Sequence, residues 1–248
     1  MPHRPHQTRR RVRHRAGPRE LRPVPPAPAA APRARRAARS SRSPGPPGRP
    51  PPPRKLDAMH LTGTVAPDRP LLVVALPEEA AHLDGGLPVL FTGMGKLNAA
   101  AALATLLAGG RRPAAVVNLG TAGALRPGLA GTHEIGRVLQ HDLDTPLLEQ
   151  LTGRPMDGPI DLAAGGPVLA TGDRFVSADA DRDLLARTAD LVDMEGYAVA
   201  TVARRAQLPV RLVKHVSDEA GDGAVRSWRE SVDDCARLLA DWARTHLG

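Results

Sequence analysis

Aromatic side chains are scarce: the 248 residues hold two Phe, two Trp and one Tyr. So few rings cannot build the stacking platform of a single-strand nucleic-acid binder. There is one cysteine, which excludes a disulfide framework and any multi-cysteine zinc site. No apolar run approaches the ~20 residues of a membrane-spanning helix, and no apolar stretch follows the N-terminal charges as a secretory signal would require. The expected location is the cytoplasm, with no membrane partner. Acids are nearly missing before residue 59, where Glu20 and Asp57 stand against 16 of the 34 Lys and Arg and beside 15 of the 26 prolines. From Met59 onward, 18 basic residues face 24 acidic ones, so the formal charge of +8 belongs to the N-terminal arm. The basic footprint is a tail, and a nucleic-acid partner is not expected.

Residues 1–58 are built from Arg, Pro, Ala and Ser without hydrophobic periodicity. Such a segment cannot bury enough apolar surface to offset chain entropy, and it reads as disordered. Its prolines argue against the amphipathic helix of an organellar transit peptide. It is either a genuine basic extension, able to touch anionic polymers, or upstream sequence ahead of a true start at Met59. Residues 59–248 are long enough for one domain with a substantial core. A chain beginning at Met59 is therefore expected to fold and keep full activity. Loss of cooperative melting or of turnover on that truncation would make the arm part of the domain.

Beyond Met59 the pattern alternates. Leu71–Leu76 is a short continuous apolar run, as expected for a strand buried on both faces. Pro88–Thr92 is a second strand candidate and Lys96–Ala108 an Ala- and Leu-rich helix. Ala114–Leu119 is a third apolar run, which Gly120 and Gly123 are expected to break. A polar stretch with little pattern follows. Then come a strand at Val168–Ala170, a helix near Ala178–Thr188, a strand at Leu191–Asp193, a helix from Glu195 to about Ala206, and a strand at Pro209–Val216. In the last helix, Val225, Trp228, Val232, Cys235, Leu239 and Trp242 form one apolar stripe. Strands alternating with helices predict a single α/β domain whose central sheet, mostly parallel or mixed, is flanked by helices.

Ligands of such sheets sit beyond the carboxyl ends of the strands. The polar residues there are Glu78-Glu79, Gly93-Met94-Gly95-Lys96, Thr121-Ala122-Gly123, Asp173-Arg174-Phe175, Met194-Glu195 and Ser217-Asp218. There is no G-x-S-x-G elbow and no phosphate-binding fingerprint. The six histidines after residue 58 lack metal-ligand spacing, and neither metal nor cofactor is expected. Carboxylates, backbone amides and one aromatic ring remain. That set suits glycosidic bond cleavage, in which one acid protonates a leaving group and another orients water.

In order along the chain stand Ala75-Leu76-Pro77-Glu78-Glu79, Thr92-Gly93-Met94-Gly95-Lys96-Leu97-Asn98-Ala99-Ala100, Asn118-Leu119-Gly120-Thr121-Ala122-Gly123, Gly172-Asp173-Arg174-Phe175-Val176, Asp193-Met194-Glu195-Gly196 and Val216-Ser217-Asp218-Glu219-Ala220. This series resembles the nucleoside phosphorylase/nucleosidase superfamily, nearest to the bacterial 5′-methylthioadenosine/S-adenosylhomocysteine nucleosidases, across residues 70–246. The resemblance implies hydrolysis of the N-glycosidic bond of a purine nucleoside, with water as co-substrate and without a cofactor. Alternatives on the same fold are a purine nucleoside phosphorylase and a futalosine hydrolase. A non-catalytic nucleoside-binding protein is a further one.

The resemblance also implies roles. Asp218, beside Ser217, matches the acid that protonates the purine at N7. Glu79 matches the carboxylate that positions the attacking water. Glu195, with Met194 beside it, matches the residue that holds the ribose hydroxyls. Phe175 matches the ring stacked on the purine, and the Val176 backbone the reader of the base edge. Thr121, Ala122 and Gly123 match a small-residue turn against the ligand, and Lys214 stands where relatives commonly carry Arg. Met94 and Trp228 match the residues around the 5′ substituent. Without the resemblance, Ser217 and Asp218 are equally good helix N-caps, Glu79 and Glu195 first-turn acids favoured by the helix dipole, Phe175 a core ring, and Trp228 a core anchor. Two departures stand out. The segment from about Gly131 to Gly165 is short for the family, although His141-Asp142-Leu143-Asp144 resembles its interface segment and implies a homodimer. Pro77 replaces an acid, and proline suits the first turn of a helix.

Overall fold

Two-sided burial decides the architecture. Leu71, Leu72, Val73 and Val74 are all buried, and successive side chains of a strand point to opposite faces. Leu71 and Val73 join a cluster with Leu103, Leu106 and Val199, whereas Leu72 and Val74 join Leu239 and Ala243. A sheet covered in this way on both faces is the middle layer of three. The computed structural model describes residues 60–248. The expectation of a disordered arm over residues 1–58 lies outside the described residues.

The chain runs β1 (His60–Thr62), β2 (Pro70–Val74), a 3₁₀ turn (Pro77–Ala80), β3 (Val89–Phe91), α1 (Lys96–Ala108) and β4 (Ala115–Ala124). It continues with β5 (Thr132–Glu134), β6 (Arg137–Gln140), α2 (Thr145–Thr152), β7 (Ile160–Asp161), β8 (Val168–Thr171) and α3 (Asp179–Leu185). The last elements are β9 (Leu191–Asp193), α4 (Gly196–Arg205), β10 (Val210–Asp218) and α5 (Ala224–Leu247). Strand order is β1-β3-β2-β4-β9-β8-β6-β7, with β10 paired to β4 and β5. The β2/β3, β2/β4, β4/β10, β6/β8 and β8/β9 pairings are parallel, and the others antiparallel, so the sheet is mixed.

β4 is the hinge of the sheet. Its first half pairs with β2 through residues up to Asn118, and its far end pairs with β9 at Gly123 and Ala124. β10 follows it from Val116 to Gly123. Gly120 and Gly123 therefore do not break this strand, contrary to the sequence-based expectation. Hydrogen bonding to β10 keeps the chain extended across both. The glycines are there for space: a Cβ at Gly120 would stand 3.2 Å from Glu79 Oε1 and 3.3 Å from Lys214 Nζ, and one at Gly123 would stand 3.1 Å from Asp218 Oδ1.

The final helix also differs in detail. Its buried residues are Ala224, Cys235, Ala236, Leu239, Ala240 and Ala243, while Val225 is exposed. Small alanines let α5 lie close on the sheet; of the apolar stripe, Cys235 and Leu239 reach the core and Trp228, Val232 and Trp242 are half-buried. The patternless stretch holds β5, β6, α2 and β7. No residue of α2 is buried.

Candidate active site

The carboxyl ends of β2, β3, β8, β9 and β10 and the carboxyl half of β4 converge on one cavity. It is lined by Ala75, Leu76, Glu79, Met94, Thr121, Ala122, Gly123, Arg174, Phe175, Val176, Val192, Asp193, Met194, Glu195, Ser217, Asp218 and Trp228.

Pro77 starts the 3₁₀ turn that carries Glu79. Only 6% of Glu79 is exposed, which excludes a solvated first-turn acid. Its Oε1 accepts hydrogen bonds from the Thr121 N–H at 2.7 Å and the Thr121 hydroxyl at 2.8 Å. Its Oε2 accepts from the Leu76 N–H at 3.3 Å.

Asp218 closes β10, just past a register shift against β4. It does not cap the next helix, because Gly223 is the N-cap of α5. Its Oδ1 accepts from the Ala220 N–H at 2.8 Å, with Ala220 held at φ 49°. The Ser217 hydroxyl donates to its Oδ2 at 2.8 Å. Burial pushes the Asp218 carboxyl above the usual carboxylate range, against the pull of these two donors. A shift in that direction favours the protonated form that a general acid needs.

Glu195 precedes the first residue of α4 and is itself buried. Its Oε1 accepts from the Gly95 N–H at 2.7 Å, made possible by the left-handed φ of 94° at Gly95. Beneath it lies Asp193, which accepts from the Thr171 hydroxyl at 2.5 Å and the Gly196 N–H at 2.8 Å. Burial, then the neighbouring Asp193, pushes the Glu195 carboxyl up to about 8. Lys214 opposes this. It is 1% exposed and pairs with Asp193 Oδ2 at 2.9 Å. Burial works against its charge, but Asp193, Glu195 and Glu79 outweigh it and raise its pKa. One ammonium thus faces three carboxylates, and this deficit favours a proton on Glu195.

A sequence model of the phosphorylase superfamily matches residues 140–245. Over 168 residues the chain is 32% identical to the 5′-methylthioadenosine/S-adenosylhomocysteine nucleosidase of Marinomonas sp. (strain MWYL1), covering 57% of this chain and 72% of that protein. The chain belongs to the phosphorylase superfamily. A second superfamily relative, the aminodeoxyfutalosine nucleosidase of Campylobacter jejuni, is 33% identical over 85 residues, 34% of this chain and 36% of that protein. The fold is also that of futalosine hydrolase from Helicobacter pylori strain 26695, with a TM-score of 0.62 at 21% identity over 72% of this chain and 96% of that one. Both sequence relatives are nucleosidases by name.

Of the residues that the superfamily resemblance singled out, twelve line the cavity together, and Lys214 does not. Lys214 is buried and turned to Asp193, and its charge acts on Asp193, Glu195 and Glu79. The expectation missed Ala75, Leu76, Arg174, Val192 and Asp193. Asp193 carried a legible signal, as an acid ending an apolar run directly before Met194-Glu195. Arg174 is mostly exposed and pairs with Asp181 at 2.8 Å. Among the described residues there is no cluster of His, Cys, Asp and Glu arranged to hold a metal, and no helix long and apolar enough to cross a membrane.

Proposed function

We propose that this protein hydrolyses the N-glycosidic bond of a 5′-modified adenosine, releasing the free base and a ribose product. The observation that carries this reading is the pairing of two buried carboxyls on one cavity, Glu79 bound to Thr121 of β4 and Asp218 with a raised pKa. Asp218 gives its proton to the purine N7 as the C1′–N9 bond breaks, and the base leaves neutral. Glu195 hydrogen-bonds the ribose hydroxyls, and in its ionised form it stabilises the positive charge growing on the sugar. Water, held by Glu79, adds its oxygen to C1′ and gives up a proton to that carboxylate. Phe175 and the Val176 backbone hold the base.

Phosphorolysis on the same fold would need cations for phosphate. Arg174 is the one cation lining the cavity among the described residues, and Asp181 already pairs with it. Base release is accordingly expected at the same rate with and without phosphate, measured by chromatography of adenine. Phosphate-dependent release would support the phosphorylase, and release of hypoxanthine from futalosine alone would support that hydrolase instead. No release from any nucleoside would leave a binding protein.

The 5′ end gives a second expected result. Met94, Leu76 and Trp228 offer an apolar, polarizable wall, and the single donor of Trp228 is already taken by Thr121. A 5′-hydroxyl entering there loses water without an evident partner, at roughly 1–3 kcal/mol, while a thioether gains about 1 kcal/mol or somewhat more. A preference of about 10- to 100-fold in kcat/KM for 5′-alkylthio or 5′-deoxy adenosines over adenosine follows from these energies. Equal turnover of adenosine and 5′-methylthioadenosine would remove the assignment of that wall.

The same reading carries a cytoplasmic place in purine and methionine salvage and a homodimer. What supports the dimer is a set of exposed apolar side chains, Met94 and Phe175 at the cavity and Leu97, Leu143, Leu147 and Leu151 on α1, α2 and the segment before α2. Lys96 gathers it by pairing with both Asp142 and Asp173.

A further inference from the structure

The hydroxyl of Thr121 has two polar neighbours, and their chemistry settles which way its proton points. Trp228 donates its indole N–H to Thr121 Oγ1 at 3.0 Å. An indole nitrogen can only donate, so the hydroxyl must accept there. Its one proton then goes to Glu79 Oε1, 2.8 Å away. The Thr121 N–H donates to that same oxygen at 2.7 Å, so Oε1 takes two donors from one residue. Oε2 has only the longer bond from the Leu76 N–H, 3.3 Å, and is the oxygen with a lone pair to spare for water.

We propose that Trp228 is a positioning residue: its indole N–H orients the Thr121 hydroxyl, which holds Glu79 with Oε2 free to bind the attacking water. The proposal rests on the reading of Glu79 as the group that orients water. The ring of Trp228 alone would suffice to wall the 5′ pocket, and phenylalanine would do that equally well. The N–H is the added feature. A neighbour on α5 points the same way. Ser231, one turn on and on the same face, donates its hydroxyl to the Ser217 carbonyl at 3.0 Å. Ser217 in turn donates to Asp218 Oδ2. One face of one helix therefore touches the support of each carboxyl, and α5 sets the two relative to each other.

Trp228→Phe keeps the ring body and deletes the donor. Its kcat is expected to fall about ten-fold, the rate equivalent of one lost hydrogen bond. KM should stay within about two-fold, since the phenyl ring keeps the apolar wall of the 5′ pocket. The fall should be the same for 5′-methylthioadenosine and adenosine. Thr121→Val should reproduce the loss, Thr121→Ser should recover most of it, and Trp228→Phe should add nothing in the Thr121→Val background, because the two act through one link. A readout independent of activity comes from the indole protons of the two tryptophans. The Trp228 N–H should exchange slowly with solvent by NMR, and faster in Thr121→Val. Wild-type kcat in Trp228→Phe, a changed preference between the two substrates, or additive losses in the double variant would each overturn the proposal. If Glu79→Gln turns over at the wild-type rate, the water-orienting reading itself is wrong, whatever the proton exchange shows. If Glu79→Gln is impaired and Trp228→Phe is not, only the positioning role falls.

Discussion

Asp218→Asn is expected to lower kcat by ~10²–10⁴, the usual contribution of general acid catalysis, with nucleoside binding largely retained. The amide is isosteric and can still take the Ala220 N–H that now bonds Oδ1 at 2.8 Å, but it has no proton to give to N7. The pH profile supplies the second half of the test. Burial raises the Asp218 pKa, so the protonated, active form persists above the usual carboxylate range and is lost as pH rises through the raised value. The alkaline fall of kcat/KM that Asp218 causes should disappear in the asparagine variant. A variant with wild-type rates, or with an unchanged profile, would remove Asp218 from the chemistry.

Glu79→Gln is expected to impair turnover comparably, by ~10²–10⁴, for a different reason. The carboxylate accepts three hydrogen bonds, two from Thr121 and one from Leu76. A carboxamide has one oxygen, so either the Leu76 N–H or the Thr121 N–H would meet an amide N–H. The side chain must then rotate or leave a donor orphaned, at roughly 1–3 kcal/mol, and it can no longer take a proton from water. Melting temperature and single-turnover rate should be measured together. A small stability loss with a large rate loss fits the assigned role, and a wild-type rate would refute it.

How much of this was legible follows from where each signal resides. β2, α1, β9 and β10 are written in their own residues, as apolar runs of strand length or Ala- and Leu-rich runs of helix length. The short elements between residues 131 and 165 are not. β7 has two residues and α2 only eight, too few for a periodic pattern to stand out. β4 misled for the opposite reason. Gly120 and Gly123 carry the local signature of a break, and the partner strand β10 overrides it.

The site shows the same division. The residue types, their order along the chain and their places after apolar runs are properties of the sequence, and they sufficed for the fold class, the family and twelve residues around one cavity. The direction of each side chain was not among them. Lys214 lies on a strand that reaches the cavity, yet its ammonium turns to Asp193. Buried with Asp193, Glu195 and Glu79 around it, it finds its nearest counter-charge at the end of β9, and nothing in the residue pattern of β10 aims it there. Trp228 looked like part of a core stripe or of a pocket wall. Its N–H instead meets a hydroxyl 107 residues away, and no spacing rule along the chain encodes that meeting. Local composition determines which elements can form, because propensity and burial act residue by residue. Ionisation, hydrogen-bond direction and the seat of each carboxyl depend on distances between remote segments, and only the packed tertiary structure decides them.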